Sequence, residues 1–178
     1  MKNIILGITG SIAAYKAADI ANTLSKQGHS LHVIMTAAAT KFITPLTLQT
    51  LTRNKVYTDM FEPYFPSEVE HISLAQKADL FLVAPATANF IAKAATGIAD
   101  DMLTTVLLAL RETPVIVCPA MNTAMYENRV TQRNIKILSD LGYHFVEPRE
   151  ARLACGDLGK GALADTEEIL NVVQKYIG

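Results

Sequence analysis

Short apolar runs alternate with longer amphipathic stretches along this chain. Five runs, Ile4–Ile8, Leu31–Met35, Leu80–Ala84, Val115–Cys118 and Tyr143–Val146, are apolar at nearly every position. Such a run has no face to give to water, so each reads as a strand covered on both sides, as in parallel sheets. Between them, helical spacing predicts helices over Ser11–Gln27, about Pro45–Leu51, Thr87–Ala95, Met102–Leu110 and Thr131–Leu141, and a last one over Thr166–Ile177. Gly28 and Gly142 stand where C-caps belong, and Thr166 is placed as the N-cap of the last helix. The alternation predicts an α/β fold: a doubly wound, Rossmann-like (flavodoxin-like) parallel sheet with helices on both faces. Val56–Glu70, with two prolines, is the longest predicted loop, either a substrate-side flap or a packed connection.

Composition narrows the classes. At 178 residues the chain is expected to form one domain, 1–178. A chain of this size buries roughly 70% of its unfolded surface without disulfides or metals. Half the residues are apolar and the net charge is −1, which gives no footprint for nucleic acid. Two cysteines, far apart, suggest a reducing compartment. The N-terminal apolar run is too short to span a membrane and lacks a signal-peptide cleavage site, so a soluble cytoplasmic protein is expected, with no membrane partner. No His, Cys, Asp or Glu spacing suggests a metal site, and no metal is expected.

Candidate chemistry gathers at strand ends. The first strand ends in Gly7-Ile-Thr-Gly10-Ser11 and runs into a helix, where glycine admits a ligand and the helix N-terminus favours an anion. This is not G-x-G-x-x-G, and the second strand ends at Thr36 rather than at an acidic residue for a ribose hydroxyl. A mononucleotide phosphate fits better than a nicotinamide dinucleotide, although a tight strand-to-helix turn without a ligand would share the pattern. Thr87 and Asn89 follow the third strand, as hydrogen-bond donors or with Thr87 as a helix cap. Asn122 follows the fourth strand; its amide can donate to a carboxylate, or cap a turn. His71 follows the long loop, in a context that fits a structural histidine as well as a catalytic one. Cys118 reads as a core cysteine. Arg152–Gly161, RLACGDLGKG, reads as a mobile glycine-rich loop presenting Cys155 among basic neighbours, or as a surface loop with an incidental cysteine.

Together these pieces resemble the flavin-dependent cysteine decarboxylases, and most closely the members that act on 4′-phosphopantothenoylcysteine in coenzyme A biosynthesis. The matching blocks are Gly10-Ser-Ile-Ala-Ala-Tyr-Lys16, His71-Ile-Ser-Leu74, Pro85-Ala-Thr-Ala-Asn89, Pro119-Ala-Met-Asn122 with Met125, and Arg152-Leu-Ala-Cys-Gly-Asp157, in family order over almost the whole chain. Tyr126 stands where the family usually has Trp, and no second, cysteine-ligating domain is expected. The resemblance implies FMN, with its phosphate at Gly10, Ser11 and Thr36 and further contacts from Ile12, Thr87, Ala88, Asn89, Phe90 and Ala120. It implies that His71 assists oxidation and decarboxylation, that Asn122 holds the cysteinyl carboxylate and amide, and that Cys155 is the proton donor. Met125, Arg152, Leu153 and Ala154 would contact substrate. It further implies a homotrimer, or a multiple such as a dodecamer, with FMN at the subunit interface. Three other activities are related: oxidative decarboxylation of a C-terminal peptidyl cysteine, flavin prenyl transfer, and non-catalytic regulation of a phosphatase. The Cys155 loop argues against the first, the His71, Asn122 and Cys155 set against the second, and the lack of an acidic tail against the third.

Overall fold

Runs that are apolar on every side must be buried on both faces, and they form the centre of the molecule. The computed structural model describes residues 1–61, 70–152 and 158–178. In chain order its elements are β1 (Asn3–Ile8), α1 (Ala17–Lys26), β2 (Ser30–Met35), α2 (Pro45–Thr52), β3 (Val56–Tyr57), α3 (Glu70–Lys77), β4 (Leu80–Ala86), α4 (Ala88–Thr96) and α5 (Met102–Ala109). There follow β5 (Val115–Pro119), α6 (Thr123–Glu127), α7 (Arg129–Asp140), β6 (His144–Phe145), β7 (Arg149–Arg152), β8 (Leu158–Ala162) and α8 (Thr166–Ile177). Six strands form one sheet in the order β3-β2-β1-β4-β5-β6, every pair parallel. This is the doubly wound α/β fold that the pattern predicts.

Strand alternation divides the core between the two faces. Ile4, Leu6 and Ile8 of β1 pack on one face with Ala17, Ile20 and Leu24 of α1 and Ile169 and Val173 of α8. Ile5 points to the other, among Phe81, Val83, Phe90, Ile91, Leu103 and Leu138. Gly7 lies on this second face because a Cβ there would come 2.5 Å from Leu103 Cδ1. Cys118 is fully buried on the first face, and burial pushes its thiol up, so it is a core residue as expected.

Several local expectations are corrected. The first long helix opens as a 3-10 turn over Ile12–Lys16 before α1 begins. Val56–Tyr57, inside the predicted loop, is a strand paired with β2; residues 62–69 of that loop lie outside the described residues. Thr166 is not the cap of α8 but its first residue. The cap is Asp165, whose extended backbone (φ −67°, ψ 145°) ends the preceding segment and whose carboxylate turns to Arg149 Nε at 3.2 Å.

Candidate active site

The sheet order reverses beside β1: the chain leaves it for β2 and β3, then crosses back to β4 on its other side. In open α/β sheets the carboxyl ends of strands at such a switch point form a crevice. Here Thr9 ties its two edges together. It is buried, its N–H and hydroxyl both donate to Pro85 O (3.2 and 2.7 Å), and its hydroxyl accepts from Thr87 N–H at 2.9 Å. Gly10 follows with no room for a side chain, since a Cβ would overlap that of Ala38. Ser11 then caps the 3-10 turn, its Oγ accepting from Ala13 N–H at 3.3 Å. Across the crevice Thr87 caps α4, its Oγ1 accepting from Phe90 N–H at 3.3 Å.

The other half of the site hangs on the end of β5. Ala120 N–H donates to Ala86 O at 3.0 Å, and Met121 N–H to Gly161 O at 2.9 Å. Asn122 is the N-cap of α6, its Oδ1 accepting from Ala124 N–H at 2.8 Å. That bond fixes the amide plane, of which Nδ2 is the donor end. Both readings of Asn122, as cap and as donor, are therefore compatible in one geometry.

Part of the glycine-rich stretch read as a loop is strand. Residues 149–152 and 158–162 pair as an antiparallel hairpin, with Arg152 opposite Leu158. Gly159 and Gly161 are there for close approach. A Cβ on Gly159 would meet Thr123 Oγ1 at 2.5 Å, and one on Gly161 would overlap Met121 O. Small residues thus let β8 lie flat on the Met121–Thr123 turn. Leu153, Ala154 and Cys155 lie outside the described residues.

These walls enclose a cleft of about 440 Å³. It brings together Gly10, Ser11, Ile12, Thr87, Ala120, Asn122 and Met125 of the expected site. Sequence reasoning missed Arg149, Ala151 and Leu163, which also line it, and Thr9, which braces it. Nothing local marks Thr9, because its partners are 76 and 78 residues away. Arg149 is held by Leu163 O and Asp165, each 3.2 Å from its Nε. Thr36 is not a lining residue: its Oγ1 accepts from Ala39 N–H at 3.2 Å, in the turn that packs on Gly10. Ala88 and Asn89 head α4 beside Thr87, and the Phe90 side chain is buried in the core. His71 lies in the first turn of α3, half-buried, and does not line the cleft of this single chain.

The cleft suits a flat, partly anionic ligand. Its volume lies in the range of cofactor sites. Ile12, Ala120, Met121 and Leu163 give it apolar walls, and the Gly10–Ser11 turn offers backbone at close range. Tyr126 lies behind Asn122. Burial, with the Glu147 carboxylate beside it, pushes its phenol up to about 12, and the Lys160 ammonium holds Glu147 below the usual carboxylate range. Among the described residues no group of His, Cys, Asp or Glu is placed to hold a metal ion, and no helix is long and apolar enough to cross a membrane.

The chain is similar to known proteins in sequence and in fold. The chain is 50% identical over 177 residues to a probable phosphopantothenoylcysteine decarboxylase of Streptococcus mutans serotype c, covering 99% of each. It is 49% identical over 175 residues to the coenzyme A biosynthesis bifunctional protein CoaBC of Bacillus subtilis; the match covers 98% of this chain and 43% of that longer protein. Among solved structures it is similar to a cysteine-to-serine mutant of PPC decarboxylase complexed with pantothenoylaminoethenethiol, with a TM-score of 0.91 and 31% identity over 99% of this chain and 98% of that one. The Flavoprotein family model matches residues 1–178 from end to end, and with the switch-point cleft already in place, the chain belongs to the Flavoprotein family.

Proposed function

We propose that this chain is an FMN-dependent decarboxylase that converts 4′-phosphopantothenoyl-L-cysteine to 4′-phosphopantetheine and CO₂ in coenzyme A biosynthesis. The observation that carries this reading is the cleft itself. The Gly10–Ser11 turn and the Asn122 amide face one space, in a chain half identical to a relative of that name over nearly its full length. The absence of an acidic residue at the end of β2, where Thr36 stands, favours a mononucleotide.

Loss of CO₂ from a cysteine carboxylate leaves a carbanion with nowhere to place its electrons. Bound FMN would supply the sink: taking two electrons from the thiol-bearing carbon would give a thioaldehyde, CO₂ could then leave with an enethiolate remaining on the substrate, and the two electrons would return as hydride together with a proton. The chain's residues then have distinct tasks. Gly10 admits the phosphate end to the backbone, and Ser11 and Thr87 cap the turns that frame it. Asn122, oriented by the bond its Oδ1 accepts, would donate from its amide to the carboxylate. Met125 and Leu163 form apolar walls that exclude water. His71 assists oxidation and decarboxylation, and Cys155 delivers the last proton. The ligand named with the cysteine-to-serine mutant of PPC decarboxylase, an enethiol, supports that last assignment.

The assembly we propose is a homotrimer, or a multiple of it, in the cytoplasm. Two observations support it. His71 does not line the cleft of one chain, and Ile12 and Tyr15 at the cleft rim are 58% and 59% exposed, large apolar groups of the kind an interface covers.

The purified protein is expected to be yellow, and denaturation should release FMN, identified by chromatography. Recovery of FAD, or of no flavin after soaking with excess FMN, would contradict the mononucleotide assignment.

A further inference from the structure

We infer that Tyr126, Glu147 and Lys160 form a positioning network that fixes the β7–β8 hairpin against the Asn122 turn and so sets the width of the substrate half of the cleft. The inference rests on the proposed decarboxylase reading for what that half binds, but on the geometry alone for what the network does.

Four observations carry it. Tyr126 lies one helical turn after Asn122 and donates its N–H to Asn122 O at 2.9 Å, so the phenol ring and the amide are carried by one short helix. The ring is buried, with 7% exposed, yet its hydroxyl emerges to donate to Glu147 Oε2 at 3.0 Å. Lys160 of β8 donates to the same oxygen at 2.6 Å, and its ammonium stands 5.6 Å from the centroid of the Tyr126 ring. Glu147 itself follows Val146, whose N–H is bonded to Val117 O of β5 at 2.9 Å. One carboxylate oxygen therefore joins the sheet edge, the α6 turn and the second strand of the hairpin.

An isolated exposed Lys–Glu pair contributes little. This one differs because a buried aromatic supplies a second donor to the same oxygen and a π-face to the ammonium, a network rather than a pair. The strands it holds carry the walls. Asn122 and Met125 come from the turn, and Ala151, Ala162 and Leu163 from the hairpin and its end. Among the described residues, the hydrogen bonds that frame the Gly10–Thr87 side of the cleft, on β1, the 3-10 turn and α4, involve no member of the network. Disturbing the network should therefore act on one half of the site and spare the other, which a loss of general stability would not do.

The test compares Tyr126→Phe, Lys160→Met and the double variant with the wild type, all loaded with FMN. Losing one hydrogen bond to a partly exposed carboxylate should raise KM for 4′-phosphopantothenoylcysteine roughly 5- to 10-fold in either single variant. FMN affinity and kcat should each stay within about twofold, and the double variant should fall well short of the product of the singles, since both act on one oxygen. Amide exchange over residues 158–162 should quicken in each variant while β1 and α4 are unchanged. Unchanged KM and exchange in both singles would overturn the inference, as would equal losses of FMN affinity and KM. If the wild type binds no FMN or releases no CO₂, the decarboxylase reading fails on its own, and the exchange of residues 158–162 in the FMN-free protein still decides whether the network holds the hairpin.

Discussion

Asn122→Asp is expected to keep its fold and its flavin and to lose decarboxylation. The structure makes this substitution unusually selective. Asn122 Oδ1 accepts from Ala124 N–H at 2.8 Å, and an aspartate oxygen accepts the same bond, since both residues are strong helix caps. The Gly10–Ser11 turn, on the opposite wall, is untouched. What changes is the donor end. An N–H that binds a carboxylate is worth about 1.5–3 kcal/mol, and in its place stands a second negative charge whose repulsion at short range adds several kcal/mol more. Together these should lower kcat/KM by at least about 100-fold, with FMN binding within about twofold of wild type. Melting temperature and flavin absorbance check the first expectation and steady-state kinetics the second. Near-normal turnover would show that Asn122 only caps α6.

Cys155→Ser should divide the reaction at its last proton transfer. Serine is close to cysteine in size but far weaker as an acid, so oxidation of substrate and loss of CO₂ should persist while protonation fails. A positioned acid contributes about 100- to 10,000-fold, so formation of 4′-phosphopantetheine should fall by at least about 100-fold. An enethiol two hydrogens lighter than 4′-phosphopantetheine should accumulate in its place, visible by mass spectrometry. Normal product formation would remove Cys155 from the acid role. Loss of CO₂ release as well would place the cysteine earlier in the sequence of steps.

The sheet was legible because its signal is local. A strand buried on both faces, such as Leu80–Ala86, must be apolar throughout, and its short length and β-branched neighbours in the other runs separate it from a helix. The cleft's first wall was legible for the same reason: Gly10, Ser11 and Thr87 each lie within three residues of the end of an apolar run. Short elements were not. The strand Val56–Tyr57 is only two residues long and exists through its pairing with Val33 and Ile34, which no propensity foretells. Residues 158–161, read as loop, are strand, and they were misread because glycine has two uses. Gly159 and Gly161 suggest freedom in sequence, while in the fold they mark contact with Thr123 and Met121. Thr9 shows the remaining limit: a buried hydroxyl that joins two strands can be identified only when both strands are in place.

The most direct test of the account is release of labelled CO₂ from carboxyl-labelled 4′-phosphopantothenoylcysteine by the FMN-loaded protein, with the organic product followed in the same reaction. The FMN-loaded protein should release CO₂ and 4′-phosphopantetheine in equal amounts, without an added oxidant. Absence of CO₂ from the FMN-loaded protein, or release only from a peptide ending in cysteine, would contradict it.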